Sequence, residues 1–254
     1  MATRSVSRDF DQLSTVYDET RQPLDPATLE NLYRFLLDHQ WSAVLEVGVG
    51  TGRISQPLVE RGLQVVGVDA SRGMIARARA KGIPNLVQGN AVRLPFRDRA
   101  FDVALFVHVL HVLDDPGAGL REAARVSRAG VLAIMDRAPE DSDPARPHEP
   151  TPRELLRGIL TEAGYPDLLR GGPRVKERAI LRQFPPKEIR TLSDREVTEP
   201  LAKYLDVLEK RAYRHVLKVP PEVLAHAVAV ARERVGARTV TYRRVEAAVW
   251  WPTP

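Results

Sequence analysis

The residues best suited to chemistry fall between positions 17 and 111. "VLEVGVGTGR", residues 44 to 53, sets Gly48, Gly50 and Gly52 directly after an apolar run that carries one acid, Glu46. Asp69 closes a second apolar run, Asn90 closes "NLVQGN", and His108 and His111 follow "FDVALFV". A glycine loop of this kind can cradle a dinucleotide, a nucleotide phosphate or a nucleoside without phosphate. The dinucleotide fingerprint G-x-G-x-x-G wants a third glycine where Arg53 stands, and a phosphate loop wants a lysine that is not there. A carboxylate two residues before the first glycine repels a pyrophosphate and suits a cationic or zwitterionic ligand. An imidazole after the fourth apolar run could take a proton near neutral pH. His111 comes close to Asp114 if its loop turns helical, because i and i+3 then share a face.

The elements that must position these residues alternate. "PATLENLYRFLLDHQ" puts Leu29, Leu32, Tyr33, Leu36 and Leu37 on one helical face and predicts a helix over 26–39, with Asp25 as its N-cap. Strands are predicted at "SAVLEVG", "LQVVGVD", "NLVQGN", "FDVALFVHVL" and "VLAIMD", with helices at "RISQPLVERG", "SRGMIARARAKG" and "GLREAARVSRAG" between them. Asp69 could itself cap the helix that follows it. The alternation predicts an α/β, Rossmann-like doubly wound sheet of mostly parallel strands, seven in all, with helices on both faces. In such a sheet ligands lie across the carboxyl ends of the strands, which is where the glycine loop and the histidines fall.

After "VLAIMD" the texture changes. "RAPEDSDPARPHEPTPR" holds five prolines in seventeen residues and reads as a linker or hinge. Helices are expected near 152–164, 174–183, 200–217 and 221–235, and strands at "EIRTLSDREVTE" and "TVTYRRVEAAVWW". The expected organisation is an N-terminal lid segment (1–25), a cofactor-binding core (26–138), the proline-rich linker with helices (139–187) and the last two strands (188–254). A helical cap, about 200–236, is inserted between those strands. Its apolar faces, Leu201, Leu205 and Leu208 and then Val223, Ala227 and Val230, suggest an enclosed, partly apolar small molecule. His215 and His226 on the cap read as surface or core residues.

The 254 residues are 43% hydrophobic and suffice for a sizeable core. The absence of cysteine removes disulfides, thiol nucleophiles and iron–sulfur ligation, and no metal site is expected. No apolar stretch is long enough for a signal peptide or a span, so a cytoplasmic protein is expected. The charge of +5 arises from 38 basic and 33 acidic residues, a mixed surface that makes nucleic acid an unlikely partner. The sequence is silent on oligomeric state.

Glu46, Gly48, Gly50 and Gly52 resemble the E/D-x-G-x-G-x-G motif of the class I S-adenosylmethionine-dependent methyltransferases. The resemblance continues in register through "VVGVDAS", "QGNAVRLPFRDRAFDVALFVHVLHVLDD" and "LREAARVSRAGVLAIMD", roughly residues 43 to 136. "TVYDETRQ" is similar to the lid of the quinone-biosynthesis branch. The resemblance implies S-adenosyl-L-methionine as cofactor. It also implies a binding set of Tyr17, Arg21, Glu46, Gly48, Val49, Gly50, Thr51, Gly52, Arg53, Asp69, Ala70, Met74, Asn90, Ala91 and Val107. Glu46 would attract the ammonium, the glycines would admit the methionine moiety, and Asp69 would accept from the ribose hydroxyls. Asn90 departs from the family's usual Asp and would accept from the adenine amino group, with the Ala91 N–H on a ring nitrogen. Met74 would pack on adenine or belong to the core. His111 and His108 are the candidate bases. The expected reaction is in-line methyl transfer to a small, partly apolar acceptor under the cap. The alternatives are a nucleic-acid methyltransferase and a non-catalytic cofactor-binding regulator.

Overall fold

The structure is a computed structural model that describes residues 2–21, 24–137, 150–169 and 173–253. The chain opens with helices α1 (Ala2–Leu13), α2 (Tyr17–Thr20) and α3 (Pro26–Asp38). The polar N-terminal segment, expected from sequence as a lid with no helix assigned to it, is thus largely helical. Asp25 caps α3 as expected, accepting the Ala27 N–H at 2.8 Å, and Pro26 sits where its missing N–H costs nothing.

Alternation then builds β1 (Ala43–Val47), α4 (Ser55–Glu60), β2 (Gln64–Asp69), α5 (Arg72–Ala80), β3 (Leu86–Gln88), β4 (Phe101–Val107), α6 (Pro116–Val126) and β5 (Ser127–Arg137). β4 stops at Val107, three residues short of the apolar run that predicted it, because the chain turns into a 3-10 helix at Leu110–Val112. α6 ends earlier than predicted: "SRAG" belongs to β5. Most of the proline-rich stretch lies outside the described residues. Beyond it come α7 (Pro152–Glu162), α8 (Pro173–Gln183), β6 (Glu188–Pro200), α9 (Ala202–Glu209), α10 (Pro221–Val235) and β7 (Thr239–Pro252). The single helix expected over 200–217 is in fact α9 and a 3-10 turn at Arg214–Val216, separated by a break at Arg211, whose φ is 53°.

The sheet has seven strands in the order β3-β2-β1-β4-β5-β7-β6. β1 to β5 pair in parallel, and β7 inserts antiparallel between β5 and β6. Both faces are covered, and period-two alternation sorts the side chains. Val103, Leu105, Leu132 and Ile134 pack with Leu32, Phe35 and Leu58 on one face; Ala104, Phe106, Val131 and Ala133 pack with Leu120, Ala123 and Ile180 on the other. Strand order reverses between β1 and β4, which opens a crevice at their carboxyl ends.

The cap has its own core. Leu156 and Leu160 of α7 meet Leu205 and Leu208 of α9 and Leu224, Ala227, Val228 and Ala231 of α10. The apolar faces read as acceptor lining therefore mostly close this core, and Val223, expected among them, is exposed. Among the described residues no helix is long and apolar enough to cross a membrane.

Candidate functional site

The alternation that buries Val44 beside α3 turns Glu46 the same way, toward the start of α4. Glu46 is 2% exposed and accepts the Ser55 hydroxyl. Burial pushes its carboxyl up to about 8 against that hydrogen bond. Above it, Gly48 has φ +77° and a Cβ there would stand 2.6 Å from Val109 Cγ2, so the glycine lets the loop after β4 close onto the loop after β1. Gly52 corrects the sequence reading. Its missing Cβ faces Ile83 Cδ1 at 2.0 Å rather than the crevice. It is a packing glycine, and of the proposed binding set it alone does not line the cavity.

Asp69 accepts the Gly50 N–H and the Ser71 N–H, each at 2.9 Å, so it stiffens the glycine loop from the next strand. Burial raises its pKa against those bonds. The cap of α5 is Ser71, not Asp69: its hydroxyl oxygen accepts the Met74 N–H at 3.1 Å. Asn90 Oδ1 accepts the Val92 N–H at 3.1 Å, an Asx turn that spends one of the two lone pairs. Met74 is both core and cavity wall, being 1% exposed yet lining the crevice.

The N-terminal helices cover this end. Asp11 accepts from the Ser71 hydroxyl at 2.6 Å and the Gly73 N–H at 2.9 Å; Asp18 accepts from the Thr51 hydroxyl at 2.5 Å and pairs with Lys81 at 2.7 Å. The same segment reaches the cap. Arg21 donates to Ala212 O at 3.0 Å with its guanidinium 4.9 Å from the Tyr213 ring centre, Asp9 pairs with Arg214 at 3.1 Å, and Glu19 with Lys210 at 3.3 Å. Arg53 does not open α4, which begins two residues later; it lines the cavity, where burial lowers its pKa.

At the other end stand the histidines. His108 takes φ +54°, a strained conformation for a residue other than glycine. Its Nε2 lies 3.4 Å from Glu246 Oε1, and Asp136 completes a compact group of three. Arg244 meets Glu246 at 3.0 Å and Asp136 at 3.4 Å and so supplies the group with positive charge. Burial works against a charged His108, but Asp136, Glu246 and Glu177 outweigh it and raise the pKa. Burial likewise works against Glu246, yet His108, Arg244 and the Thr28 hydroxyl hold it down at about 2. His111 sits in the 3-10 turn, as the helical reading of its loop required. Its partner is nevertheless Glu177 of α8, 3.1 Å from Nδ1, and not Asp114. His215 is no bystander: it lines the cavity, stacks on Tyr213 and is pushed down to about 4 by burial and the nearby Arg153.

One cavity of about 1040 Å³ joins both ends. Glu177, Glu246, Asp136 and Arg244 escaped the sequence reading. Glu246 was findable, since an acid inside the apolar run "VEAAVWW" is the same anomaly as Glu46 in "VLEV". Asp136 stands one residue before the end of β5, much as Asp69 ends β2. Glu177 is 66 positions from His111, and no local spacing betrays it.

A parallel sheet with this order and an antiparallel seventh strand, whose acid-flanked glycine loop faces an acid at the end of β2, defines the class I S-adenosylmethionine-dependent methyltransferase architecture. Residues 45–135 match the family described as a methyltransferase domain. Demethylmenaquinone methyltransferase of Corynebacterium kroppenstedtii is 37% identical over 132 residues, 50% of this chain and 57% of its own. That of Beutenbergia cavernae is 35% identical over 162 residues, 61% and 66% of the two chains. The matches thus span less than two thirds of these relatives. The YcgJ protein of Bacillus subtilis shares the fold, with a TM-score of 0.51 at 19% identity over 87% of this chain and 98% of that one.

Proposed function

We propose that the protein transfers the methyl group of S-adenosylmethionine to a small, partly apolar acceptor enclosed between the sheet ends and the cap. The observation that carries this reading is the cavity that joins the two ends. At about 1040 Å³ it exceeds the usual 300–1,000 Å³ of a one-ligand pocket, and it runs from Glu46 past the histidines to Tyr204 and Tyr213 of the cap. The donor set fits the cofactor in order: a buried carboxyl for an ammonium, Asp69 for vicinal hydroxyls, and Asn90 and Ala91 for the edge of a purine. The relatives named as demethylmenaquinone methyltransferases favour a planar, aromatic acceptor.

The bound cofactor supplies an electrophilic methyl on a sulfonium. The chain's own residues align, neutralise and exclude water. Glu46 and the glycine loop fix one end of the donor, the N-terminal helices close over it through Asp11 and Asp18, and the His108–Val109 loop sets where an acceptor can approach. Calorimetry with S-adenosylmethionine, its demethylated product and NAD tests the donor, and tighter binding of NAD overturns the reading. Transfer of labelled methyl to a panel of ring-bearing acceptors, amines and RNA tests the acceptor; transfer to RNA alone replaces it with the nucleic-acid alternative, and cofactor binding without any transfer replaces it with the regulator.

A further inference from the structure

His111 lines the cavity and Glu177 does not. The Glu177 side chain is 4% exposed, its Oε1 lies 3.1 Å from His111 Nδ1, and its Oε2 is buried with no hydrogen-bond partner among the described residues. A buried carboxyl that keeps one oxygen unsatisfied is costly and calls for a reason beyond packing. Lys176, the neighbour of Glu177, donates to the His111 carbonyl at 3.2 Å, so α8 grips both the backbone and the ring of the same residue. An ionised Glu177 accepts from Nδ1–H, which leaves the lone pair of the imidazole on Nε2, the nitrogen remaining for the cavity.

We propose that Glu177 is the positioning residue of a His111–Glu177 dyad whose Nε2 takes a proton from the acceptor, so that the acceptor is an acidic hydroxyl or enol rather than an amine. The proposal rests on the methyltransferase reading above and deepens it. In the step, the acceptor oxygen, or the carbon of an enol, forms a bond to the methyl as the sulfonium–methyl bond breaks, and that electron pair stays on sulfur. The acceptor proton passes to His111 Nε2 and from the imidazolium to solvent. An amine is nucleophilic without losing a proton first and needs no such group.

The charged groups around the ring are Glu177 and Lys176 from α8, His108, Asp114 and Asp115 from its own loop, and Asp136 and Glu246 around His108. Glu177 alone among them is hydrogen-bonded to the imidazole, so its removal is read directly on that ring.

The test has three arms on the full chain. Long-range proton–nitrogen NMR of the ligand-free protein is expected to show His111 with its proton on Nδ1, and Glu177→Gln is expected to shift that proton toward Nε2. Calorimetry is expected to show unchanged S-adenosylmethionine affinity in Glu177→Gln and His111→Ala. Labelled methyl transfer to phenols and enols is expected to fall about tenfold or more in the first and about a hundredfold in the second, with the acid limb of the pH–rate profile displaced in Glu177→Gln and any amine transfer unchanged. If Glu177→Gln does not fold, Glu177→Asp, which keeps the charge but shortens the reach, is expected to lower the same rates. A proton on Nε2, undiminished transfer to hydroxyl acceptors in either variant, or transfer to amines alone overturns the dyad. Failure of the unaltered protein to bind S-adenosylmethionine overturns instead the reading on which it stands.

Discussion

The carboxyl of Glu46 titrates near 8 in the folded chain because burial penalises its charge more than the Ser55 hydroxyl repays. A carboxyl whose folded midpoint lies above its unfolded one near 4.5 holds its proton more tightly when folded, so its contribution to stability is full below pH 4.5 and is lost as pH rises to about 8. Glu46→Gln removes that loss. At pH 8.5 the variant is expected to melt higher than the native chain by about 2–4 °C for each kcal/mol relieved, while its calorimetric affinity for S-adenosylmethionine falls roughly tenfold or more. An ammonium bound beside Glu46 is expected to expel its proton, so binding enthalpies measured at pH 7 in buffers of different ionisation heat are expected to differ. Asp69→Ala is expected to weaken cofactor binding by about 1–3 kcal/mol in the same calorimeter, the cost of unpaired polar groups in a closed site. Both acids were legible because each interrupts or ends an apolar run where a charge has no packing role. Glu177 was not, because only tertiary contact between α8 and the 3-10 turn makes it a neighbour of His111.

Among elements, the turn from β1 into α4 separates two kinds of glycine. Gly50 has φ +57° and open space where a Cβ would go, and Gly52 has φ +80° and Ile83 in the way. Gly50→Ala is expected to cost about 1–2 kcal/mol for backbone strain alone. Gly52→Ala adds a clash with Ile83, just beyond α5, and is expected to cost about 1–3 kcal/mol more, read as a lower urea midpoint at unchanged slope. Nothing in the spacing of the glycines tells the two apart, since the difference lies in what faces them. The strands and helices of the core were legible because buried parallel strands read as continuous apolar runs; the cap was less so. Its helices share their apolar residues with one another, so periodicity announced amphipathic faces without saying that Leu205, Leu208 and Ala227 face each other and not a ligand.

Across the whole molecule, β7 ties the β6 edge of the sheet to β5, and Glu246 is the charge at that seam. Its midpoint is depressed to about 2, so its contribution is present above pH 4.5 and lost as pH falls toward 2. Glu246→Ala is expected to destabilise by about 3–5 kcal/mol in urea titrations at neutral pH, because a buried ion pair is broken and Arg244 and His108 are left to share Asp136. The N-terminal segment has a different reach. It is pinned to the glycine loop and α5 through Asp18 and Asp11 and to the cap through Arg21 and Asp9. One segment therefore holds both ends of the same cavity, and loosening its grip at one end is expected to loosen it at the other. With turnover expected to be paced by the parting of these contacts, pre-steady-state mixing is expected to show a burst in which methylated product accumulates on the protein before either product leaves.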